Sequence, residues 1–281
     1  MRVFAFIALT MCAFAANSIL NRAALATTDI GAIEFAGLRV FFGALTLALI
    51  LGARGSLWIG SFSWPAALGL SAYMLFFSLA YGSLDAGIGA LVLFGVVQLA
   101  MFAGAVLLGE RPKQAAYLGS ILGVVGLAVA VWPQGPATFS GVGVAYMVVA
   151  GTGWGVFSLA GRGASEPLGT TFLAFLVTLP VMIVVMIGTG STALSFDVGT
   201  AYAALSGAVT SGLGYALWYA VLPQISAVRA SIAQLSVPII AMLGGMVFLD
   251  ETLTLQFVLG ATLVLSGVIW PYLSQRIGHA R

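Results

Sequence analysis

The stretch VFLDETLTLQFVLG, residues 247–260, decides the fold of this chain because a similar stretch occurs earlier in the sequence. It places two carboxylates, Asp250 and Glu251, between two apolar runs, and the stretch VLLGERPKQAAYLG at 106–119 has the same form. Five identities recur at a constant offset of 141: Val106, Leu108, Glu110, Leu118 and Gly119 return as Val247, Leu249, Glu251, Leu259 and Gly260. One structural unit is therefore used in both halves of the chain.

Composition indicates an integral membrane protein. Hydrophobic residues make up 61% of the 281 residues and charged residues only 6%, whereas soluble domains carry about 25% charged residues. The net charge of +2 does not favour nucleic acid as a partner. The single cysteine, Cys12, has no partner for an internal disulfide, and the only histidine is His279. We therefore expect no metal ion, no cofactor and no enzymatic activity.

Ten apolar spans, each able to cross the hydrocarbon core of a bilayer, are separated by short polar breaks. The predicted spans are 3–22, 30–52, 64–83, 87–108, 113–132, 141–161, 168–189, 199–221, 226–249 and 254–274. The two sets of five are related by an offset of 140 to 141, and because five is odd the second set crosses the membrane in the opposite sense. The prediction is a single all-α membrane domain over 1–281, with a first repeat at 1–136 and an inverted repeat at 137–281.

The first span has a second interpretation. Residues 1–17, MRVFAFIALTMCAFAAN, are also typical of a secretory signal peptide that is cleaved before Ala16. Against this, four residues of the span correspond to residues of span 6 at an offset of 140: Phe14, Ala15, Ser18 and Arg22 to Trp154, Gly155, Ser158 and Arg162. A segment that belongs to an internal repeat is expected to stay in the mature protein.

Basic residues predict the orientation. With a cytoplasmic N-terminus, the inner loops and tails collect Arg2, Arg54, Arg111, Lys113, Arg162, Arg229, Arg276 and Arg281, and the outer side only Arg22. Both termini are therefore expected in the cytoplasm. The acids of the repeated stretch, Glu110, Asp250 and Glu251, directly precede spans 5 and 10, where negative side chains complement the helix dipole. We expect them to cap those helices; the alternative is a role in proton coupling.

Three stretches resemble the EamA-type branch of the drug/metabolite transporter superfamily. They are LRVFFG at 38–43, ALVLFGVVQLAMFAGAVLLGERP at 90–112 and ASIAQLSVPIIAMLGGMVFLDETLTLQFVLG at 230–260. The first-half stretch departs from the family pattern because Val97 and Gln98 stand where members often carry proline. The resemblance implies a transporter of the bacterial inner membrane, most similar to exporters of amino acids, especially aromatic ones.

Polar and aromatic side chains on shared helical faces are the candidate substrate contacts. They are Phe14, Asn17, Asn21, Arg39, Tyr73, Phe77, Tyr81, Gln98, Trp154, Ser158, Ser211, Tyr215, Trp218 and Gln234. Ser231, in the same span as Gln234, is a further candidate. Structural alternatives remain open. Tyr81 and Tyr219 are also placed to anchor span ends at the membrane surface, and Asn17 to bond a neighbouring helix. Small-residue pairs are expected to pack helices closely: Gly119 with Gly123, and Gly151 with Gly155.

Arg39 is the one strong charge well inside a span, and it needs a partner there. Glu34 is five residues away and so not on the same face. We expect a structural tie to a carboxylate or to helix-end carbonyls, with contact to a substrate carboxylate as the alternative. Pro180 and Pro238 are expected to bend spans 7 and 9.

The function predicted is export of small metabolites, most of all amino acids, by alternating access through a neutral, aromatic-lined cavity. The spans hold too few basic groups for phosphate-bearing cargo, and span 1 holds no carboxylate suited to cationic drugs. The chain lacks a GxxxxGK loop, so direct use of ATP is not expected. Because the spans also show no chain of carboxylates for a proton relay, we expect uniport down the substrate gradient. The partners expected are a small-molecule substrate and membrane lipid, with a monomeric chain. The alternatives are a broad-specificity drug or metabolite exporter, a passive pore, and a lipid-modifying enzyme.

Overall fold

The helices of the chain follow its apolar runs. The structure, a computed structural model, describes residues 2–55, 60–109, 111–112, 114–132, 140–162, 164–191, 197–221, 224–225 and 233–277. Every regular element within these ranges is helical, so the all-α prediction is confirmed for the part of the chain described.

We number the helices α1 to α10 in chain order. Nine have the bounds α1 Arg2–Thr27, α2 Ala32–Ala53, α3 Trp64–Tyr81, α4 Ala86–Leu107, α5 Gln114–Ala130, α6 Gly141–Arg162, α7 Pro167–Thr189, α9 Ser236–Phe248 and α10 Leu255–Ile277. Helix α8 has three consecutive segments: α-helical Val198–Leu205, π-helical Ser206–Leu213 and α-helical Gly214–Val221. Each predicted span corresponds to one of these helices, although the start of span 9, at 226–232, lies outside the described residues.

The exterior of the helices is apolar. Helices α1, α2, α3, α4, α6 and α7 are long and apolar enough to cross a membrane, while α5, α9 and α10 contain shorter apolar segments. Large apolar side chains point outward along the bundle, among them Phe4, Leu107, Val184 and Phe248. A soluble protein rarely exposes so much contiguous apolar surface, whereas lipid covers it without cost. The chain is a multi-pass membrane protein.

Local signals explain several helix ends. The Ser63 hydroxyl accepts a hydrogen bond from the Ala66 N–H at 3.3 Å, and Pro65 lies in the first turn of α3, where proline needs no backbone donor. Gly109, two residues after the end of α4, and Gly190, directly after α7, have φ values of 89° and 69°. This left-handed conformation ends a helix and is the one that glycine adopts most readily. Pro238 lies in the first turn of α9, a position that proline tolerates.

Helices α3 and α6 approach each other at two glycines. A Cβ added to Gly69 would lie 2.7 Å from the backbone oxygen of Gly153, and one added to Gly153 would lie 2.6 Å from that of Gly69. Small residues permit this backbone approach, which dispersion forces then stabilise in lipid. The same contact fixes Tyr73, one turn after Gly69, because its backbone nitrogen is 2.9 Å from the Cβ position of Gly153.

The predicted close packing at small residues is confirmed elsewhere too. A Cβ on Gly267 of α10 would overlap the Gly119 oxygen and lie 2.8 Å from the Gly123 nitrogen of α5. A Cβ on Gly151 of α6 would lie 3.0 Å from the Leu93 oxygen of α4, and one on Gly155 2.7 Å from a side-chain carbon of α4. Glycine spacing thus sets two helix contacts, α5 with α10 and α4 with α6.

Contacts between helices follow a regular order along the chain. Helix α1 packs against α8 and α9, and helix α6, five places later, packs against α3 and α4. Three further contacts join helices that are themselves five places apart: α2 with α7, α4 with α9, and α5 with α10. The two halves of the chain are therefore interleaved rather than side by side.

In the second copy of the repeated stretch, 247–260, Glu251 does not cap the helix for which it was predicted. The Glu251 carboxylate accepts hydrogen bonds from the N–H groups of Ala86, at 2.5 Å, and Gly87, at 3.3 Å, in the first turn of α4. Helix α10 is capped instead by Thr254, whose hydroxyl accepts from the Phe257 N–H at 3.1 Å. The prediction that Glu251 caps α10 is therefore wrong.

The reason lies in the backbone at Asp250, which adopts a left-handed conformation with φ of 54°. The chain turns there, and the next carboxylate reaches across to α4, where the helix dipole and the free N–H groups favour a negative charge. Glu110, the counterpart in the first copy, lies outside the described residues.

Replacing Gly69 with alanine is expected to force α3 and α6 apart, because the neighbouring atoms are backbone and cannot move aside. We expect Gly69→Ala to lower the free energy of unfolding by about 1–3 kcal/mol. Chemical denaturation in detergent micelles measures this. Gly188→Ala in α7 is the matched control, since nothing lies within 4 Å of its Cβ position. Equal stability of the two variants would contradict the close contact.

Replacing Glu251 with alanine is expected to lower the free energy of unfolding by about 1–2 kcal/mol, because the first turn of α4 loses its acceptor. Amide hydrogen exchange at Ala86 and Gly87 should rise in the same variant. The control is Glu166→Ala, because Glu166 is exposed and its side chain makes no capping hydrogen bond.

The environment of the Glu251 carboxyl leads us to expect that the stability of the protein depends on pH. Burial raises the pKa of its carboxyl above the ordinary value, and the hydrogen bonds from Ala86 and Gly87 oppose part of that rise. The folded protein then binds this proton more tightly than the unfolded chain, so stability increases as the pH falls through the raised pKa. Glu251→Gln should lose this increase in denaturation series at stepped pH; an unchanged pH dependence would contradict the assignment.

Candidate functional site

A small cavity lies among five helices, α1, α3, α4, α6 and α8. Its volume is about 10 Å³, close to the smallest space that holds one water molecule. The residues that line it are Phe14, Asn17, Ser18, Tyr73, Phe77, Leu93, Phe94, Trp154, Thr210 and Tyr215. None of these is acidic or basic, so a neutral, aromatic-lined cavity is present, but it is collapsed in this conformation.

Aromatic rings form one wall. Phe14 of α1 makes edge-to-face contacts with Trp154, Tyr215 and Trp218, each with ring centroids 6.0 Å apart. Trp154 of α6 also packs against Tyr73 at 4.8 Å and against Tyr215 at 5.1 Å. Such pairs contribute about 0.5–1.5 kcal/mol each beyond burial. The wall joins helices from the first and second halves of the chain.

A hydrogen-bond network lines the cavity beside these rings and forms its polar wall. The Asn17 amide nitrogen donates to the Tyr73 hydroxyl at 3.3 Å. Its carbonyl oxygen accepts from the hydroxyls of Ser206, at 2.7 Å, and Thr210, at 3.1 Å. Asn17 is 4% exposed, so these bonds replace the water that it would otherwise require. The expected tie of Asn17 to neighbouring helices is therefore present, and the same residue lines the cavity.

Arg39 lies directly behind Tyr73 and is fully buried. Its Nε donates to the Ser211 hydroxyl at 3.0 Å and its Nη2 to the Tyr73 hydroxyl at 2.9 Å. The guanidinium carbon also lies 5.1 Å and 4.9 Å from the ring centroids of Tyr73 and Phe77, within the range of cation–π attraction.

These contacts correct the prediction for Arg39. Its partners among the described residues are two hydroxyls and two aromatic rings, not a carboxylate or helix-end carbonyls. Its Nη1 and the Glu34 Oε1 atom are both buried without a hydrogen bond. The reason is helical geometry, because a separation of five residues turns Glu34 away from Arg39.

Two predicted residues sit deeper in the contact between α1 and α3. Asn21 donates to the Ser78 hydroxyl at 3.0 Å. Tyr81 is fully buried, packs edge-to-face against Phe77, and donates to the Ala86 carbonyl at 3.4 Å. The alternative of a membrane-surface anchor is therefore wrong for Tyr81; Tyr219 is half-buried.

The remaining predicted residues do not line the cavity. Ser211 is bonded to Arg39 behind it. Ser158 is half-buried and donates to the carbonyl of Trp154 in its own helix at 2.7 Å. Gln98 is half-buried on α4, and Gln234 is buried just before α9. Ser231 lies outside the described residues. The structure thus brings together Phe14, Asn17, Tyr73, Phe77, Trp154 and Tyr215 around the cavity.

Four lining residues were not predicted: Ser18, Leu93, Phe94 and Thr210. Leu93 and Phe94 carry no signal in a run of similar apolar residues. Thr210 did carry a signal in the sequence, because Ser206 and Thr210 are four residues apart and share a helical face. No group of three or more His, Cys, Asp or Glu that could hold a metal ion occurs within the described ranges.

An apolar helical bundle around a polar and aromatic cavity is compatible with a membrane transporter, and sequence comparison supports that class. Residues 141–273 match the EamA-like transporter family. The chain belongs to this family, which confirms the predicted EamA-type branch of the drug/metabolite transporter superfamily.

Relatives extend the match over the whole chain. An uncharacterized protein of Pseudomonas aeruginosa is 41% identical over 280 residues, 97% of this chain and 94% of that protein. An uncharacterized transporter of Archaeoglobus fulgidus is 25% identical over 204 residues, 71% of this chain and 72% of that one. A solved crystal structure of a protein at 18% identity covers 96% of this chain and 98% of its own, with a TM-score of 0.68, which shows a shared fold.

Replacing Asn17 with leucine is expected to lower the free energy of unfolding by about 0.6–2 kcal/mol, the range for hydrogen bonds between membrane helices. The hydroxyls of Ser206 and Thr210 would lose their shared acceptor. Denaturation in detergent measures the change. Thr262→Val is the control, because Thr262 is exposed and bonds only within its own helix. A change no larger than that of the control would contradict the network.

Proposed function

We propose that this protein is a secondary transporter that exports small metabolites, most of all amino acids including aromatic ones, by alternating access. The observation that carries the proposal is the cavity, which combines aromatic rings with hydrogen-bonding groups inside a membrane bundle. An apolar amino-acid side chain suits the rings of Phe14, Trp154 and Tyr215, and its polar end suits the wall of Asn17 and Tyr73.

We further propose that the two halves, 1–136 and 137–281, are inverted repeats. The order of helix contacts supports this, because the contacts of α1 with α8 and α9 correspond to those of α6 with α3 and α4 after a shift of five helices. Contacts between helices five places apart fit a two-fold axis in the membrane plane. A substrate site at such an axis is the common plan of secondary transporters.

The small volume of the cavity supports a carrier rather than an open pore. A space of about 10 Å³ holds no amino acid, so substrate entry requires Phe14 and its aromatic partners to separate. A carrier needs such a closed arrangement between its two open ones, whereas a pore needs a continuous polar path. We also propose that both termini lie in the cytoplasm of a bacterial cell. We propose that the protein acts as a monomer and transports its substrate by uniport.

Transport in proteoliposomes tests the proposal. Saturable flux of labelled phenylalanine and threonine is expected, and the double variant Trp154→Ala, Trp218→Ala should lose most of it, because both rings contact Phe14. The control is Trp270→Ala, since Trp270 is exposed on the outside of α10. Flux that does not saturate would indicate a pore. A flux that depends on an imposed pH gradient would overturn uniport, and no flux of either amino acid would overturn the substrate class.

A further inference from the structure

We infer that the cavity recognises its substrate by a carboxylate, which Tyr73 contacts as a hydrogen-bond donor while Arg39, one layer behind, supplies the positive charge. This rests on the proposed transport function and deepens it. Arg39 is then a positioning residue that acts through Tyr73, not a residue that touches the substrate.

The first step is the hydrogen-bond count at the Tyr73 hydroxyl. Its oxygen accepts from Arg39 Nη2 at 2.9 Å and from the Asn17 amide nitrogen at 3.3 Å. A phenolic oxygen has two lone pairs and one proton. Both lone pairs are occupied, so the proton has to be donated to a third group. The hydroxyl of Tyr215 is the neighbour of the Tyr73 hydroxyl, and both hydroxyls line the cavity, so this proton can be donated to a bound ligand.

The second step extends the count to the neighbours of Tyr73. The carbonyl oxygen of Asn17 accepts from the Ser206 hydroxyl and shares the single Thr210 proton with the Ser206 carbonyl. The second N–H of Asn17 is free to face a ligand. The hydroxyls of Ser18 and Tyr215 line the cavity and have no hydrogen-bond partner. Tyr73 and Asn17 therefore turn donors toward the cavity, whereas the hydroxyls of Ser18 and Tyr215 can serve a ligand as donors or acceptors. A ligand group that complements Tyr73 and Asn17 is an acceptor.

The third step is charge. The lining contains no acidic residue, and the salt bridge found among the described residues, Arg22 with Asp85, does not involve Arg39. Arg39 is buried with one guanidinium nitrogen, Nη1, unpartnered. A buried cation without a counter-ion favours an anion nearby. A carboxylate bound at Tyr73 supplies one, and the charge of Arg39 strengthens the donor that holds it.

The aromatic wall completes the ligand class. Phe14, Trp154 and Tyr215 surround the space next to these donors, so the ligand is a monocarboxylate with an apolar or aromatic body. The residues that line the cavity include no carboxylate that could pair with an ammonium group. The deaminated analogue of an aromatic amino acid is therefore expected to bind, whereas the corresponding amine is not.

Four probes with the same phenyl body separate these requirements: L-phenylalanine, 3-phenylpropanoate, its neutral amide 3-phenylpropanamide, and 2-phenylethylamine. Binding to the purified full-length protein in detergent is followed by tryptophan fluorescence, because Trp154 lines the cavity. We expect both carboxylates to bind at least tenfold more tightly than the amide and the amine. Equal affinity for the amine, or no binding of either carboxylate, would overturn the inference.

Variants assign the roles. Tyr73→Phe removes the donor and is expected to weaken the binding of both carboxylates at least tenfold. The control is Tyr146→Phe, which alters a half-buried tyrosine of α6 that does not line the cavity.

For the Arg39 variants, the readout is the ratio of the affinity for the carboxylate to the affinity for the amide. Arg39→Gln should bring this ratio close to one, and Arg39→Lys should retain part of it. A purely structural role would weaken both ligands equally and leave the ratio unchanged, which would refute the inference.

The outcomes also separate this inference from the transport function. Saturable flux of phenylalanine together with equal flux of 2-phenylethylamine would leave the carrier intact and overturn carboxylate recognition. Tight binding of 3-phenylpropanoate without flux of any probe would support the recognition and overturn transport of this class. If Arg39→Gln does not fold, the comparison of Arg39→Lys with Tyr73→Phe still decides the result.

Discussion

The backbone contact between Gly69 and Gly153 is the constraint on which the site depends. Apolar side chains gain little by leaving lipid for one another, so membrane helices associate where small residues allow dispersion contacts and polar groups bond across the gap. Here the two glycines bring α3 and α6 together one turn before Tyr73 and directly beside Trp154. Tyr73 in turn receives hydrogen bonds from α1 and α2, through Asn17 and Arg39. One close crossing thus organises the residues of four helices around a single hydroxyl.

Arg39 shows how a charge is accommodated in such a bundle without an opposite charge beside it. Two hydroxyls take up part of its donor capacity, and the faces of Tyr73 and Phe77 provide a diffuse negative potential. Each partner is weaker than a carboxylate, and together they tie Arg39 of α2 to α3 and α8. This arrangement connects the polar interior across both halves of the chain. It also keeps the guanidinium out of the cavity itself, so that substrate moving through the site need not displace an ion pair.

The fold was largely predictable because hydropathy and break residues are local signals: ten spans, the all-helical class and close packing at Gly119, Gly123, Gly151 and Gly155 follow from short stretches. The contact between Gly69 and Gly153 was not predicted, because it joins two distant stretches. The site was predictable in part. Asn17, Tyr73 and Trp154 stand out as polar or aromatic groups in apolar runs, whereas Leu93 and Phe94 resemble their neighbours and reach the cavity only through packing. Glu251 shows the limit of local reasoning. Its position before α10 indicated a cap, yet one left-handed residue, Asp250, directs its carboxylate to a helix more than 160 positions earlier in the chain.

The π-helical segment at Ser206–Leu213 has a consequence for how this chain can vary. Such segments behave as insertions into a regular helix and often occur at functional sites. Each residue of an α-helix turns the following side chains by about 100°. Loss of one residue from this segment would let α8 become a regular α-helix, but it would also rotate Tyr215 and Trp218 away from Phe14. Length in this part of α8 is therefore as constrained as residue identity, whereas the segments between helices are free of this coupling. Insertions and deletions should therefore be selected against within this segment.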